Sequence, residues 1–162
     1  MPEVDEHYQE LLGEIYSWFL GGFEKNIASA REFFEQHSIT PRASAQALDL
    51  GCGPGFHSIA LAEREYSVTA IDFSEKLLAE LRQHATGLDI KDINDDLLNF
   101  AQHCPQALDL VLCMTDTIVH LPSQDRVVKL LQDVYSALEE NGQFILSFRD
   151  LTHELELFNW SI

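Results

Sequence analysis

Three glycines at alternate positions, Gly51, Gly53 and Gly55, stand directly after Leu48-Asp49-Leu50 and before Phe56. Glycine adopts positive φ freely and carries no Cβ, so a chain turning here can bring its backbone close to a ligand. The acid at the entry, Asp49, would repel a pyrophosphate but could face an ammonium group. The spacing GxGxG also differs from the GxGxxG of dinucleotide-phosphate turns, which disfavours a nucleotide-dependent oxidoreductase. A plain strand-to-helix turn without a ligand is the alternative. Roughly 20 residues past the turn, Asp72 ends the segment Val68-Thr69-Ala70-Ile71, where an acid can accept hydrogen bonds from both hydroxyls of a ribose. Asp72 could instead cap the helix that follows, a role for which Ser74 competes.

These residues need strands and helices to hold them. From residue 45 onward the chain alternates short apolar runs with amphipathic stretches. Strands are predicted at Ala45 to Leu50, Ser67 to Ile71, Asp89 to Ile93, Leu108 to Met114 and Gln143 to Phe148. Helices are predicted at Phe56 to Arg64, Glu75 to His84 and Gln124 to Leu138, with a short one around Leu97 to His103. The longest has Val127, Val128, Leu131, Val134, Tyr135 and Leu138 assigned to one apolar side and Asn141-Gly142 closing it. The uninterrupted apolar run Leu108 to Met114 suits a central parallel strand covered on both faces. Such an order implies an α/β protein: a doubly wound, mostly parallel sheet in a three-layer αβα arrangement, with ligands beyond the carboxyl ends of the strands. Residues 1–41 are predicted as amino-terminal helices interrupted at Gly21-Gly22, and 42–162 as the sheet domain.

The stretch Leu48 to Phe56, followed by Ala70-Ile71-Asp72-Phe73-Ser74, resembles the first two motifs of class I S-adenosylmethionine-dependent methyltransferases. Asn94-Asp95-Asp96-Leu97 resembles the third-strand motif, Asp109 to Met114 the fourth strand, and Leu138 to Phe144 the turn into the fifth. The resemblance covers about two-thirds of the chain and implies a Rossmann-like methyltransferase fold with S-adenosyl-L-methionine as cofactor. It implies Asp49, Gly51, Cys52, Gly53 and Gly55 near the methionine moiety, and Asp72 with Phe73 at the ribose. Asp96 with Leu97 is implied at adenine, Asp95 being its rival because the register of that strand is open by one. Met114 and Thr115 should line the region of the sulfonium. The fourth-strand motif reads Met-Thr-Asp-Thr and departs from the Asn/Asp-Pro-Pro-Tyr/Phe of enzymes that methylate amino groups of DNA or protein glutamine. A small-molecule acceptor is the expectation.

Methyl transfer from a sulfonium is an in-line displacement that depends chiefly on positioning and desolvation. A general base is needed only where the acceptor must first lose a proton. His120 and Asp116 are the candidates, each with a loop or packing role as the alternative. His57 could line the pocket. The amino-terminal helices, with Tyr16, Trp18 and Phe19 beside the Gly21-Gly22 hinge, are expected to serve as a lid or, equally, as an apolar layer on the sheet.

Composition agrees with this reading. Formal net charge is −17, from 27 acidic and 10 basic residues. Such a field repels phosphate backbones, so a nucleic-acid partner is not expected. The three cysteines, Cys52, Cys104 and Cys113, show no metal-ligand spacing, and no metal is expected. The start is acidic and lacks a secretory pattern, and the longest apolar stretch, Ile15 to Phe23, is short of the ~20 residues that span a bilayer. A cytoplasmic protein without membrane attachment is expected. Only Arg149 to Ile162 follows the fifth strand, where the family's sheet continues through a helix and an antiparallel hairpin. A truncated or naturally short form is therefore expected, its exposed fifth strand favouring a homo-oligomer. The alternative to an enzyme is a cofactor-binding domain that does not catalyse.

Overall fold

The computed structural model describes residues 16–104 and 107–149. Five strands, β1 (Gln46–Leu50), β2 (Ser67–Asp72), β3 (Ile90–Asn94), β4 (Leu108–Cys113) and β5 (Leu138–Leu146), form one sheet in the order β3-β2-β1-β4-β5. All four pairings are parallel. The chain builds outward from β1 to β3, then returns to lay β4 on the other side of β1. The crevice at that reversal, above the carboxyl ends of β1 and β4, is where doubly wound sheets hold ligands.

Helices α1 (Tyr16–Phe19), α2 (Phe23–Gln36), α3 (Phe56–Ala62), α4 (Glu75–His84) and α5 (Gln124–Ala137) connect or flank the strands. Two short 3-10 helices cover Leu97–Gln102 and Thr117–His120. Alternate side chains of the strands feed cores on the two faces of the sheet. Ala47, Val68, Leu110 and Leu112 pack with Ala30 and Phe34 of α2 and Ala60 and Leu61 of α3. Leu48, Leu50, Ile71 and Val111 pack with Phe100 and with Leu130 and Val134 of α5. Burial of both faces explains why these strands read as continuous apolar runs.

Helix α2 is a wall of the domain. Its Ile27, Ala30 and Phe34 are buried, and Phe23 at its start stacks on His84 of α4 with ring centroids 3.7 Å apart. The lid expectation thus narrows to α1 and the glycine pair after it, Gly21 at φ 92° and Gly22 at φ 101°. Trp18 is 77% exposed; of Tyr16 and Phe19 the helical backbone is described. Residues 1–15 and 150–162, including most of the first amino-terminal helix predicted from the sequence, lie outside the described residues.

Two sequence expectations need correction. Val128, Leu131 and Tyr135 of α5 face outward, Tyr135 at 82% exposure, while Leu130 is fully buried. The helix carries two apolar stripes, 127-130-134-137 and 128-131-135, both at helical spacing. Periodicity cannot choose between them; the sheet does. Asn141-Gly142 also does not close α5. The helix passes straight into β5 at Leu138, which is extended. Leu108 faces Leu138 and Leu110 faces Gln143, so Glu139 to Gly142 bulge out of the ladder with Asn141 at φ 65°.

Candidate functional site

A cavity of about 240 Å³ lies over the carboxyl ends of β1, β2 and β4. Its floor is the turn after β1. Gly51 N and Cys52 N both donate to Ile71 O, at 2.8 and 3.0 Å, which ties the turn to the end of β2. Gly51 is at φ 69°, and a Cβ there would sit 2.3 Å from Cγ2 of Thr117. Gly55 is at φ 87° and leads into α3; a Cβ there would meet Leu81 Cδ1 of α4 at 2.1 Å. Neither position admits a side chain, one because of the loop beyond β4 and the other because α4 packs against the start of α3.

Asp72 is the junction of the site. One carboxylate oxygen accepts Gly53 N at 2.8 Å and the other accepts Ser74 N at 2.8 Å. The side chain is 6% exposed and borders the cavity. Burial pushes its pKa up to about 6, although the N–H groups of Ser74 and Gly53 oppose the shift. The backbone N–H of Phe73 also bears on this carboxylate, so three of its about four lone-pair sites are engaged and acceptor capacity remains for a donor from the cavity. Ser74 occupies the cap position of α4, but its own Oγ makes no cap bond; it is buried without a hydrogen-bond partner.

Asp49 lies beneath the turn and is not on the cavity wall. It is 1% exposed and accepts Ser58 Oγ at 2.6 Å. Burial raises its pKa, with His57 and Ser58 pulling the other way. His57 is on the wall, and burial lowers its pKa while Asp49 opposes the shift. Its ring meets Phe34 edge-on at 6.1 Å. Cys52 also borders the cavity, but burial and the nearby carboxylates of Asp72 and Asp49 push its thiol far up, so it is held as the unreactive thiol.

The open register at β3 is resolved by contact. Asp96, Leu97 and Leu98 line the cavity, and Asp96 caps its 3-10 helix by accepting Leu98 N at 2.9 Å. Asp95 turns away and pairs with His103 Nε2 at 2.6 Å. This cavity joins the glycine turn, a buried acid and the apolar side chains of Phe73, Leu77 and Leu97. Such a combination suits a nucleoside with a charged appendage.

Residues 47–142 match the family model described as the methyltransferase domain. The chain belongs to that family. Among relatives, it is 29% identical over 150 residues to a glycine/sarcosine N-methyltransferase of Aphanothece halophytica, covering 90% of this chain and 56% of the relative. It is 32% identical over 129 residues to a ubiquinone biosynthesis O-methyltransferase of Pseudomonas entomophila, covering 72% of this chain and 54% of the relative. The chain thus spans about half the length of these curated relatives. A magnesium protoporphyrin IX methyltransferase from Synechocystis, solved with bound S-adenosylmethionine, superposes with a TM-score of 0.68 at 21% identity, over 93% of this chain and 76% of that one. The fold is the Rossmann-like fold of S-adenosylmethionine-dependent methyltransferases.

In this methyltransferase domain the wall beyond β4 differs in build. Thr115, Thr117, His120, Leu121 and Pro122 border the cavity there, and Leu20 from the turn after α1 approaches it. Thr115 and Asp116 both take left-handed backbone, at φ 54° and 68°. Thr115 N donates to Ser147 Oγ at 3.0 Å, and Asp116 N to Ser147 O at 3.3 Å. Met114, expected at the sulfonium, is buried in the core with Phe34 and Leu112 because strand alternation turns it away from the cavity. Asp116, expected as a base, is engaged by Arg149 through its backbone N–H and Nε, which holds its carboxyl below the usual range. It is an ion-pair member off the wall. His120 is exposed and on the wall. Thr117 and Leu77 were not singled out by sequence: a threonine in a loop carries no motif, and Leu77 reads as part of the apolar face of α4. No group of three or more His, Cys, Asp or Glu among the described residues is arranged to hold a metal ion. No described helix is long and apolar enough to cross a membrane.

Proposed function

We propose that this chain binds S-adenosylmethionine in the cavity above β1, β2 and β4, and transfers its methyl group to a small-molecule acceptor. The observation carrying this reading is Asp72, a buried carboxylate at the edge of the glycine turn that borders the cavity and keeps acceptor capacity towards it. A ribose hydroxyl is a donor of the kind that position accepts. Asp96 and Leu97 would meet adenine, and Phe73, Leu77 and Leu98 would sandwich it with apolar surface. The turn from Gly51 to Gly53 would face the methionine end, with Asp49 below it adding negative potential for the ammonium group.

Bound there, S-adenosylmethionine would supply an electrophilic methyl group. The protein's part is to orient it and exclude water around the acceptor. Thr115, Thr117 and His120 stand on the remaining wall, where an acceptor would approach. His120 is the side chain there able to take a proton if the acceptor must lose one. Helix α1, with the exposed Trp18, would close over the entrance by rotation at Gly21-Gly22.

Charge and the relatives' names support a choice of acceptor class. A net charge of −17 favours neutral or cationic molecules over anionic ones. The two relatives are named for N-methylation of glycine or sarcosine and for O-methylation in ubiquinone biosynthesis, so an amine or a hydroxyl is the acceptor to try first. We also propose a cytoplasmic location, and self-association through β5, which among the described residues pairs only with β4. Light scattering that stays monomeric across concentrations would remove the latter.

Calorimetry tests the reading directly: S-adenosylhomocysteine should bind and NAD should not. A panel of small amines and hydroxyl compounds then tests transfer with labelled S-adenosylmethionine. Binding without transfer to any acceptor would favour the second reading, a cofactor-holding domain without catalysis.

A further inference from the structure

The segment joining β3 to its 3-10 helix is tied down by side chains that do not face the cavity. Asn94 Nδ2 donates to Asp72 O at 3.2 Å and to Phe73 O at 2.8 Å, and Asp95 N donates to Asp72 O at 3.2 Å. Asp95 is the hub on the other side. Its Oδ1 accepts Asp96 N at 2.7 Å and Asn99 Nδ2 at 2.8 Å, and its Oδ2 meets His103 Nε2 at 2.6 Å. Lys91 of β3 in turn donates to His103 O at 3.1 Å. A 3-10 helix of six residues has poor hydrogen-bond geometry of its own. Its two ends are here clamped to one carboxylate.

From this geometry we infer that Asn94, Asp95 and His103 are positioning residues that set Asp96 and Leu97 against Asp72 and Phe73, and so set how the site reads the purine end of its cofactor. This rests on the cofactor reading above and gives its neighbouring acids separate jobs. Asp96 borders the cavity; Asp95 sits behind it and fixes the direction of its backbone and side chain. A pair of carboxylates in sequence with one spare histidine would look redundant if only one touched ligand. The contacts make each necessary. Asn94 performs the equivalent task across the strand gap, holding the Asp72-Phe73 carbonyls so that the two wall segments keep their spacing.

The experiment compares S-adenosylhomocysteine with S-inosylhomocysteine, in which a carbonyl replaces the adenine amino group, by calorimetry on the full chain. Wild type should bind the adenosyl compound about tenfold more tightly, the difference expected from one hydrogen bond to a charged acceptor. His103→Gln and Asp95→Asn should weaken the adenosyl compound about fivefold and leave the inosyl compound within about twofold, so the preference collapses. A merely structural role would weaken both ligands equally and leave their ratio at the wild-type value. That result in His103→Gln overturns the inference while leaving cofactor binding intact. Failure of wild type to bind either compound overturns the cofactor reading and this inference together. His103 is partly exposed, so His103→Gln decides the matter even if Asp95→Asn does not fold.

Discussion

The two walls of the cavity use the same backbone conformation by opposite means. After β1, left-handed turns fall on Gly51, Gly53 and Gly55, where they cost no side-chain strain. After β4 they fall on Thr115 and Asp116, a β-branched residue and an acid, at on the order of 1–3 kcal/mol each. Hydrogen bonds that Thr115 N and Asp116 N donate to Ser147, and the ion pair of Asp116 with Arg149, hold that second turn in place. The first wall has the buried acid Asp72, engaged by backbone N–H groups; the second has His120, exposed to solvent. A wall shared by every reaction of a cofactor can be pre-formed. A wall for the acceptor must differ between enzymes, and loop residues held by a few polar bonds are easier to exchange.

The contrast can be broken most forcefully at Asp72. Asp72→Ala should raise the Kd for S-adenosylhomocysteine by up to about two orders of magnitude, since a hydrogen bond to a charged acceptor contributes up to roughly 3 kcal/mol. A change under fivefold by calorimetry would remove Asp72 from the ribose. The same side chain sets a pH dependence. Its pKa is about 6 in the fold against 3.8 as the ordinary value, so the native state holds the proton more tightly. Its contribution to stability is therefore full below about pH 4 and declines as pH rises to about 6, on the order of 2–3 kcal/mol in all. Ligand affinity should run the other way, rising towards pH 6 as the carboxylate ionises and flattening above it. Urea melts at pH 4.5 and 6.5 and a carbon-detected titration of the Asp72 carboxyl check both signs.

Gly55→Ala comes next, because positive φ and the clash with Leu81 act together. A loss of about 2 kcal/mol in urea unfolding, with unchanged m-value, is expected. On the acceptor side, His120→Ala should leave cofactor affinity within about twofold and lower kcat/KM for an acceptor that must be deprotonated by about tenfold or more. Equal losses in cofactor binding would place His120 with the nucleoside wall. The smallest effect is expected at Thr115→Gly, which relieves left-handed strain and should be neutral or stabilising by up to about 1 kcal/mol. A clear destabilisation there would mean the Thr115 side chain contributes more packing than its exposure suggests.

Much of this was legible in the chain itself. The five strands and the helices between them follow from apolar runs, glycine punctuation and 3.6-residue spacing, with α4 matching from Glu75 to His84. The glycine turn and Asp72 were readable because each residue type answers a local demand: a backbone without a Cβ, or a strand ending at an acid. What was left open or misread involves choices that no local pattern makes. Asp95 and Asp96 are both acids one residue apart, and only the His103 contact shows which one faces away. Met114 continues an apolar strand, and whether it lines a cavity or fills a core depends on which face meets α2. The two apolar stripes of α5 are equivalent until the sheet covers one of them.

By itself the sequence determined the element order, the parallel doubly wound class and the family, because hydrophobic period, glycine and strand-end acids act over a few residues. Tertiary structure alone decided which side chains point at the cavity: Thr117 over Gly51, Asp96 before Asp95, Asp116 held by Arg149. Those outcomes depend on groups more than thirty residues apart in several cases, such as Asp116 and Arg149. Contacts between distant segments exist only once the sheet has brought its strand ends together.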